Sequence, residues 1–429
     1  MKKFYLSICA ALAIGTMANA QLCNGGRYAN TVFKSVTKTD SVVYGSNTTF
    51  SGSTQTLNMN IYQPAGDTAK ARPLIIWVHG GSFLGGSSAD GDVSTLSDSF
   101  AVKGYVCASI NYRLGMAGVD SAQAILAVIR AVQDLKAAVR FFYKDSKTTN
   151  TYMIDTNHIY IGGASAGALT ALHTAYLKRD CQIVDPGYIT ESALTAMGGL
   201  EGTSGNAGYS DKAAACISLC GALGHYNWME MGDMPLCSMH GTSDPVVIYG
   251  RGKVNPGIPL MYLDGDRILY AQAKTIALAD SFYTWVGAPH VPFDNSVAYM
   301  DTTIWYVRDF LVGQLGCTGY AALQKTDAPY GAANLYSFPT CPLGIPTLNS
   351  ELVSNMYPNP SRGEVTLQLA ESHGEYNIQI SDISGRIVST TSTSKSTYTI
   401  ERAGLTAGVY FVRVADTKGN TSVKKLIFY

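Results

Sequence analysis

The sequence has neither an excess of one charge nor, beyond its first residues, an apolar run that could cross a membrane. Lysine plus arginine and aspartate plus glutamate both number 31 among 429 residues, so the formal net charge is zero. This balance gives no electrostatic reason to expect nucleic acid or an anionic membrane as a partner. The N-terminal apolar stretch, residues 4–17, is too short to span a bilayer. We therefore predict no membrane-spanning segment and no nucleic-acid partner.

The N-terminal residues form a pattern typical of a secretory signal. Lys2 and Lys3 precede the apolar stretch, and Ala18-Asn19-Ala20 follows it as a small-x-small cleavage site. Removal of residues 1–20 would leave eight of the nine cysteines, an even number that suits an oxidising compartment. We therefore expect an exported, soluble protein.

The remaining cysteines differ in their surroundings. Cys317 and Cys341 flank a polar connection, and a disulfide between them is plausible. The other pairs stay open, because eight cysteines allow about 105 complete pairing schemes. Cys216 and Cys220 have no partner pair that would complete a zinc site, and we predict neither a metal nor a cofactor. Four cysteines in apolar segments are expected to be buried free thiols: Cys107, Cys216, Cys220 and Cys237.

Apolar runs alternate with segments of helical periodicity through most of the chain. The runs at 73–78 and 105–110 are apolar on both faces, as parallel strands covered by helices are. In residues 121–143, apolar side chains recur every three or four positions, which predicts an amphipathic helix. Strands that alternate with helices predict an α/β fold with a mostly parallel sheet. Residues 31–37 and 41–44 are predicted to form an N-terminal hairpin.

The composition changes after residue 316. Residues 317–349 are rich in glycine, proline, alanine and threonine and have little periodicity, which is typical of a linker. In residues 350–429, short alternating segments recur at intervals of about ten residues, which predicts a small all-β sandwich. The predicted organisation is a signal peptide (1–20), an α/β domain (21–316), a linker (317–349) and a β-sandwich (350–429).

Gly163-Ala164-Ser165-Ala166-Gly167 matches the pattern G-x-S-x-G. The pattern alone is weakly informative, but here it follows the apolar run 159–161 and precedes the helical segment 168–178. Strand, sharp turn and helix form a nucleophile elbow, in which the helix N-terminus favours developing negative charge. We predict Ser165 as a nucleophile; the alternative is a glycine turn that serves close helix–sheet packing.

A second glycine-rich loop, His79-Gly80-Gly81-Ser82-Phe83, ends an earlier predicted strand. Acyl transfer needs N–H donors aimed at the oxyanion, and glycines let the backbone approach that oxygen closely. We predict the backbone N–H groups of Gly81, Ser82 and Ala166 as the donors of an oxyanion hole. His79 is interpreted as a structural residue that holds the loop by hydrogen bonds.

The base and the acid follow from their order along the chain. In folds with this elbow, the serine precedes the acid, and the acid precedes the histidine. Elimination among the seven histidines leaves His290, in the loop after the predicted strand 281–286. Asp244, in a tight loop after the run 235–239, is the best acid to orient the imidazole. Three further aspartates are lesser candidates: Asp233, Asp264 and Asp266.

Several other residues have predicted roles near this site. Arg113 and Asp134 are expected to form a structural pair beneath the sheet edge. The glycine-rich residues 197–209 are interpreted either as a mobile cover over the site or as a plain flexible loop. Four residues are predicted to line a substrate pocket: Phe83, His225, Tyr226 and Trp228.

Four segments together resemble the carboxylesterase and lipase branch of the α/β-hydrolase superfamily. The resemblance covers about residues 30–315 and implies an α/β-hydrolase fold. It also implies hydrolysis of a small-molecule or polymer ester through an acyl-serine, with acyl, acetyl and feruloyl esters all open. The alternatives are a serine exopeptidase or amidase and a non-catalytic adhesion or binding module on the same fold. The segments are His79-Gly80-Gly81, Asn111-Tyr112-Arg113-Leu114-Gly115, Gly163-Ala164-Ser165-Ala166-Gly167 and His240-Gly241-Thr242-Ser243-Asp244.

The C-terminal segment contains four motifs. They are Met356-Tyr357-Pro358-Asn359-Pro360-Ser361-Arg362-Gly363, Ser381-Asp382-Ile383-Ser384-Gly385-Arg386, Gly408-Val409-Tyr410 and Lys424-Lys425-Leu426-Ile427. With these motifs the segment resembles the type A sorting domain of the type IX secretion system. The resemblance implies passage through the periplasm and recognition by the type IX machinery. It further implies removal of the tail, with release or attachment at the outer cell surface.

Overall fold

The computed structural model describes residues 24–317, 352–369, 375–383, 386–402, 404–416 and 421–429. The chain divides into two units, Met1–Cys341 and Pro342–Tyr429. The predicted signal peptide lies outside the described residues, as do Cys341 and all of the predicted linker except Cys317.

A large sheet organises the first unit. Its strands, together with three short ones outside it, are β1 (Val36–Thr48), β2 (Thr54–Pro64), β3 (Arg72–Val78), β4 (Val106–Ile110), β5 (Ile154–Ala164), β6 (Ala215–Leu219), β7 (Ala222–Leu223), β8 (Leu236–Gly241), β9 (Arg251–Lys253), β10 (Tyr262–Gly265) and β11 (Asp280–Trp285). The large sheet has the order β1–β2–β4–β3–β5–β6–β8–β11. The pairs β1–β2 and β2–β4 are antiparallel, and the other neighbouring strands are parallel.

Helices cover both faces of this sheet. They are α1 (Gly91–Ala101), α2 (Ser121–Lys147), α3 (Ala166–Tyr176), α4 (Cys181–Val184), α5 (Glu191–Ala196), α6 (Asp266–Thr275) and α7 (Val297–Gln314). One buried cluster includes side chains of α2, α3 and α6, and another includes side chains of α1 and α7. The predicted α/β fold with a mostly parallel sheet is therefore confirmed.

Strand β3 shows why the central strands are apolar throughout. Leu74, Ile76 and Val78 belong to the first cluster, whereas Ile75 and Trp77 belong to the second. Successive side chains of a strand point to opposite faces, so a strand covered on both sides has no polar face. The carboxyl ends of these strands are where the polar loops begin.

The predicted N-terminal hairpin is wrong. Residues 36–48 form the single strand β1, which pairs antiparallel with β2. The register shifts between Thr39 and Val42, and Ser41 has a φ of 57°. A bulge of this kind interrupts the alternation of side chains, and in the sequence it is indistinguishable from a turn.

Buried polar side chains of α2 form hydrogen bonds with residues outside the helix. Arg113 Nε donates to both oxygens of Asp134 at 3.0 Å, which confirms the predicted pair. Gln133 Nε2 donates to the carbonyls of Met197 and Gly199, at 2.9 and 2.7 Å. Hydrogen bonds thus attach the glycine-rich residues 197–209 to α2, a role that their composition did not indicate.

The second unit consists of antiparallel strands. They are β12 (Val353–Tyr357), β13 (Val365–Leu369), β14 (Tyr376–Asp382), β15 (Ile387–Thr393), β16 (Thr397–Ile400), β17 (Gly408–Asp416) and β18 (Thr421–Phe428). They form two sheets, β12–β13–β16 and β15–β14–β17–β18. Leu367, Ile378 and Val412 are fully buried in a core of their own. The predicted all-β sandwich is confirmed.

The described cysteines agree with the prediction where it can be compared. Cys181 and Cys317 each take part in a disulfide. Because Cys341 lies outside the described residues, its pairing with Cys317 stays a prediction. Within the ranges described above, no helix is both long enough and apolar enough to cross a bilayer. The buried free thiols are Cys107, Cys216, Cys220 and Cys237.

Candidate active site

Ser165 lies in the sharp turn between β5 and α3. Its φ of 53° and ψ of −120° form a combination that residues other than glycine rarely adopt. A Cβ on Gly167 would lie 1.9 Å from the Val78 carbonyl oxygen, and one on Gly163 would lie 2.5 Å from it. The two glycines therefore let the turn pack against the end of β3. This packing holds Ser165 in a strained conformation immediately before the N-terminus of α3.

The ring of His290, in the loop after β11, joins Ser165 to Asp244. His290 Nε2 lies 2.7 Å from Ser165 Oγ, and its Nδ1 lies 2.6 Å from Asp244 Oδ2. An ionised carboxylate only accepts hydrogen bonds, so Nδ1 donates to Asp244 and Nε2 accepts from the serine hydroxyl. The side chain of Asp244 is fully buried, and that of His290 is 14% exposed. This chain of hydrogen bonds can move the serine proton onto the imidazole.

Asp244 lies in a tight loop that provides its own hydrogen-bond donors. The backbone N–H groups of Val246 and Val247 donate to Oδ1 at 2.9 and 3.0 Å. Burial acts to raise the pKa of Asp244, but hydrogen bonds from His240 and His290 outweigh it and hold the pKa well below its usual range. The carboxylate is therefore ionised at neutral pH, and it can stabilise an imidazolium at His290.

The lesser candidates for the acid have other partners. Each of the three carboxylates contacts a basic side chain other than His290. Of the four aspartates considered, Asp244 is the one that contacts His290. The other pairs are Asp233 with Lys178 (2.7 Å), Asp264 with Arg251 (2.6 Å) and Asp266 with His240 (2.8 Å).

The loop after β3 passes beside Ser165. A Cβ on Gly80 would lie 3.4 Å from the Cβ of Ser165, so the loop backbone is in near contact with the elbow. Gly81, Ser82 and Phe83 all have positive φ values, of 103°, 56° and 61°. Two consecutive non-glycine residues with positive φ are strained, and such strain is common at functional sites.

His79 supports this loop from within. Its side chain is buried and stacks on Tyr112, with ring centroids 4.5 Å apart. Its Nδ1 donates to the Gly80 carbonyl at 2.7 Å, and the Tyr112 hydroxyl donates to the His79 carbonyl at 3.1 Å. Burial lowers the pKa of His79, so the ring is neutral. These contacts agree with the predicted structural role of His79.

An apolar cavity of about 430 Å³ borders Ser165. Its lining includes two of the predicted oxyanion donors, Ser82 and Ala166, together with side chains of α2 and α3. Phe83, His225 and Trp228 of the predicted pocket also line it, but Tyr226 does not. The backbone N–H of Tyr226 donates to Asp264 at 2.8 Å, in the turn beside the cavity.

Residues 246–263 supply one wall of the cavity that sequence reasoning missed. This segment follows Asp244 and contains the short strand β9 and the start of β10. It carries no motif, and its apolar residues follow neither a helical nor a strand period, so nothing in the sequence separates it from an ordinary loop. Its lining residues are Val246, Val247, Arg251, Val254, Pro256, Leu260, Met261, Tyr262 and Leu263.

Known proteins match the two units separately. Residues 59–204 match the BD-FAE family model, and residues 355–429 match the model of a secretion system C-terminal sorting domain. These two stretches are thus similar to a BD-FAE domain and to a C-terminal sorting domain. The predicted resemblance to α/β-hydrolases of the carboxylesterase and lipase branch is confirmed, and so is the resemblance of the tail to sorting domains. The BD-FAE match contains Ser165 and the loop after β3, whereas Asp244 and His290 lie beyond it.

Individual relatives match part of the same region. Carboxylesterase 3 of Pongo abelii is 30% identical over 139 residues, which are 30% of this chain and 22% of the relative. Lipase 1 of Geotrichum candidum is 31% identical over 120 residues, which are 27% of this chain and 21% of the relative. The chain thus spans about a fifth of the length of these relatives.

A solved structure also aligns with the chain. It is Thermogutta terrifontis esterase 2 phosphorylated by paraoxon, with 21% identity and a TM-score of 0.48. The alignment covers 68% of this chain and 97% of that chain.

Proposed function

We propose that the protein is a serine carboxylic ester hydrolase, with Ser165 as nucleophile, His290 as base and Asp244 as the acid that orients it. The observation that carries the proposal is the chain of hydrogen bonds from Ser165 Oγ through His290 to Asp244, at 2.7 and 2.6 Å. The resemblance to carboxylesterases and lipases supports an ester as the substrate.

In the proposed reaction, Ser165 Oγ attacks the ester carbonyl while His290 Nε2 takes the serine proton. The backbone N–H groups of Gly81, Ser82 and Ala166 stabilise the oxyanion of the tetrahedral intermediate. The intermediate collapses to an acyl-serine, and the leaving alcohol takes the proton from His290. Water then attacks the acyl-serine with His290 as base, which releases the acid and restores the serine hydroxyl.

The apolar cavity favours an ester with an apolar acyl group. The acyl group stays attached to Ser165, whereas the leaving alcohol must reach His290 for its proton. The cavity borders Ser165, Ser82 and Ala166, and His290 is not among the described residues that line it. This asymmetry favours the acyl group as its occupant. An acetyl group would leave most of the roughly 430 Å³ without contacts.

A fluorophosphonate probe tests the assignment of the nucleophile. An activated serine displaces fluoride and forms a stable phosphonate ester, which adds the probe mass to one peptide. We expect labelling of the peptide that contains Ser165 in the folded protein, none in heat-denatured protein and none in Ser165→Ala. Folded Ser165→Ala that keeps its esterase activity would contradict the proposal.

We further propose that residues 350–429 direct export of the mature α/β domain by the type IX secretion machinery. The match of residues 355–429 to a C-terminal sorting domain supports this role. The proposed boundaries are 1–20 for the signal peptide, 21–316 for the α/β domain and 317–349 for the linker. Accumulation of an enzyme without its tail in the periplasm of the native host is the expected phenotype.

A further inference from the structure

A second histidine–aspartate pair lies behind Asp244, and the reaction proposed above does not use it. His240, near the end of β8, is fully buried. Its Nδ1 lies 2.8 Å from Asp266 Oδ2, and its Nε2 lies 3.2 Å from Asp244 Oδ2. Asp244 Oδ2 is the same oxygen that accepts from His290 Nδ1. The two imidazoles therefore share one carboxylate oxygen.

The contacts of His240 require a proton on each ring nitrogen. Nε2 also lies 2.8 Å from the carbonyl oxygen of Val247, which can only accept a hydrogen bond, so Nε2 carries a proton. Nδ1 faces Asp266, and an ionised Asp266 likewise accepts only. One proton lies between His240 Nδ1 and Asp266. The charge of His240 thus depends on whether that proton belongs to the imidazole or to the Asp266 carboxyl.

Hydrogen-bond donors and a helix N-terminus surround Asp266 and stabilise its ionised form. The Ser218 hydroxyl donates to Oδ1 at 2.8 Å, and the Gly221 N–H donates to Oδ2 at 3.2 Å. Asp266 is also the first residue of α6, where the helix dipole stabilises negative charge. Burial raises the pKa of Asp266 above its ordinary value, although hydrogen bonds from His240, Ser218 and Gly221 oppose that effect. We therefore place the shared proton on His240.

The other titratable groups that face His240 do not offset its charge. Burial acts to lower the pKa of His240, but hydrogen bonds to Asp244 and Asp266 outweigh it and raise the pKa to about 9. The Tyr249 ring packs edge-on at 5.7 Å, and its hydroxyl lies 2.8 Å from Thr284 Oγ1. The neighbouring buried thiols have raised pKa values and are neutral: Cys216, Cys220 and Cys237.

We infer that His240 is a positioning residue, held as an imidazolium by Asp266, that acts on the reaction through Asp244. The inference rests on the proposed roles of Ser165, His290 and Asp244. The positive charge balances the buried carboxylate and fixes the oxygen that orients His290. It also opposes a second positive charge on His290 in the resting enzyme, because like charges repel in a poorly solvated site. The base therefore stays unprotonated, and the enzyme stays active, down to lower pH.

The pH profile of kcat/KM distinguishes this role from a structural one. In His240→Gln, the positive charge is lost while Asp266 keeps its negative charge. Asp294, which interacts with His290 and whose pKa burial raises to about 6, is the same in both proteins, so it does not produce a difference between their profiles. We expect the acidic limb of kcat/KM to move to higher pH by about one unit, which is about a tenfold loss of activity on that limb. The matched control is His158→Gln, because His158 forms a similar pair with Asp155 at 2.7 Å, partly exposed and outside the site. His158→Gln should leave the acidic limb of kcat/KM at the same pH.

A measurement on the unaltered protein covers the case in which His240→Gln fails to fold. In ¹⁵N spectra of histidine-labelled protein at pH 8, one ring should be doubly protonated, although an unperturbed histidine is neutral there. The inference is overturned if no ring is doubly protonated at that pH. It is equally overturned if folded His240→Gln loses activity equally at every pH. Esterase activity of the unaltered enzyme, and its loss in Ser165→Ala, test the proposed function separately.

Discussion

The apolar cavity beside Ser165 predicts a preference for longer acyl chains that can be calculated in advance. Each buried methylene contributes about 0.8 kcal/mol, and about 1.4 kcal/mol is a factor of ten. From acetate to hexanoate, four methylenes enter the cavity. The ceiling is therefore about 3 kcal/mol, or roughly 200-fold in kcat/KM. Ordering of the chain reduces this gain, so we expect an increase of about tenfold or more.

The perturbation that tests this calculation is Val128→Phe, on α2 in the lining of the cavity. The larger ring occupies part of the roughly 430 Å³, so the gain from acetate to hexanoate should shrink by about tenfold. The matched control is Val43→Phe, the same chemical change on β1, where Val43 is 57% exposed. Strands accept aromatic residues readily, so this variant should keep the preference of the unaltered enzyme.

The assay is kcat/KM on p-nitrophenyl acetate, butyrate and hexanoate, because the leaving group is constant and only the acyl chain changes. A flat or falling series in the unaltered enzyme would refute the assignment of the cavity to the acyl group. An undiminished preference in folded Val128→Phe would refute it as well. In either case the cavity would have to serve the alcohol portion or no part of the substrate.

Four further outcomes follow from the same contacts. Ser165→Ala should reduce kcat/KM by about 10³-fold or more with an unchanged melting temperature, and a smaller loss would point to another nucleophile. Asp244→Asn should cost about as much, whereas Asp233→Asn, which disturbs an exposed ion pair, should change kcat little; the reverse order would exclude Asp244 as the acid. The pKa of His240 is about 9 in the folded protein against an ordinary value of 6.5, so its protonation stabilises the fold fully below about pH 6.5. About 3 kcal/mol of the free energy of unfolding is then lost as the pH rises through 9. Urea unfolding at both ends of that range should show the loss in the unaltered protein and not in His240→Gln. A chain that ends at Leu343 should keep its kinetic constants on a small ester, and a folded chain with most activity missing would show that the tail helps to build the site.

Much of the geometry around Ser165 was predictable because local sequence governs it. The turn at Ser165 needs small residues where β3 approaches, and those residues are the glycines of the motif. The acid and the base each follow a strand of the sheet. Because parallel strands end at one edge, Asp244 and His290 were expected near Ser165. Their contacts at 2.6 and 2.7 Å agree with that expectation.

The errors have equally specific causes. A bulge at Ser41 inside a strand produces the same loss of alternation as a turn, so β1 was predicted as two strands. His240 was set aside because it precedes the acid in the chain. Its contacts with Asp244 and Asp266 depend on how the end of β8, the loop after it and the N-terminus of α6 meet in the fold, which no single segment encodes.

Local patterns in the sequence were enough to identify Ser165, Asp244 and His290 as candidates and to predict most of the strands and helices that carry them, because periodicity and turn residues act over a few positions. The tertiary structure showed which of four candidate aspartates contacts His290, although the sequence already favoured Asp244. It also decided the size of the cavity, whose wall at residues 246–263 has no local pattern. Both depend on contacts between residues that are far apart in the chain, and the energy of such contacts comes from packing and burial in three dimensions.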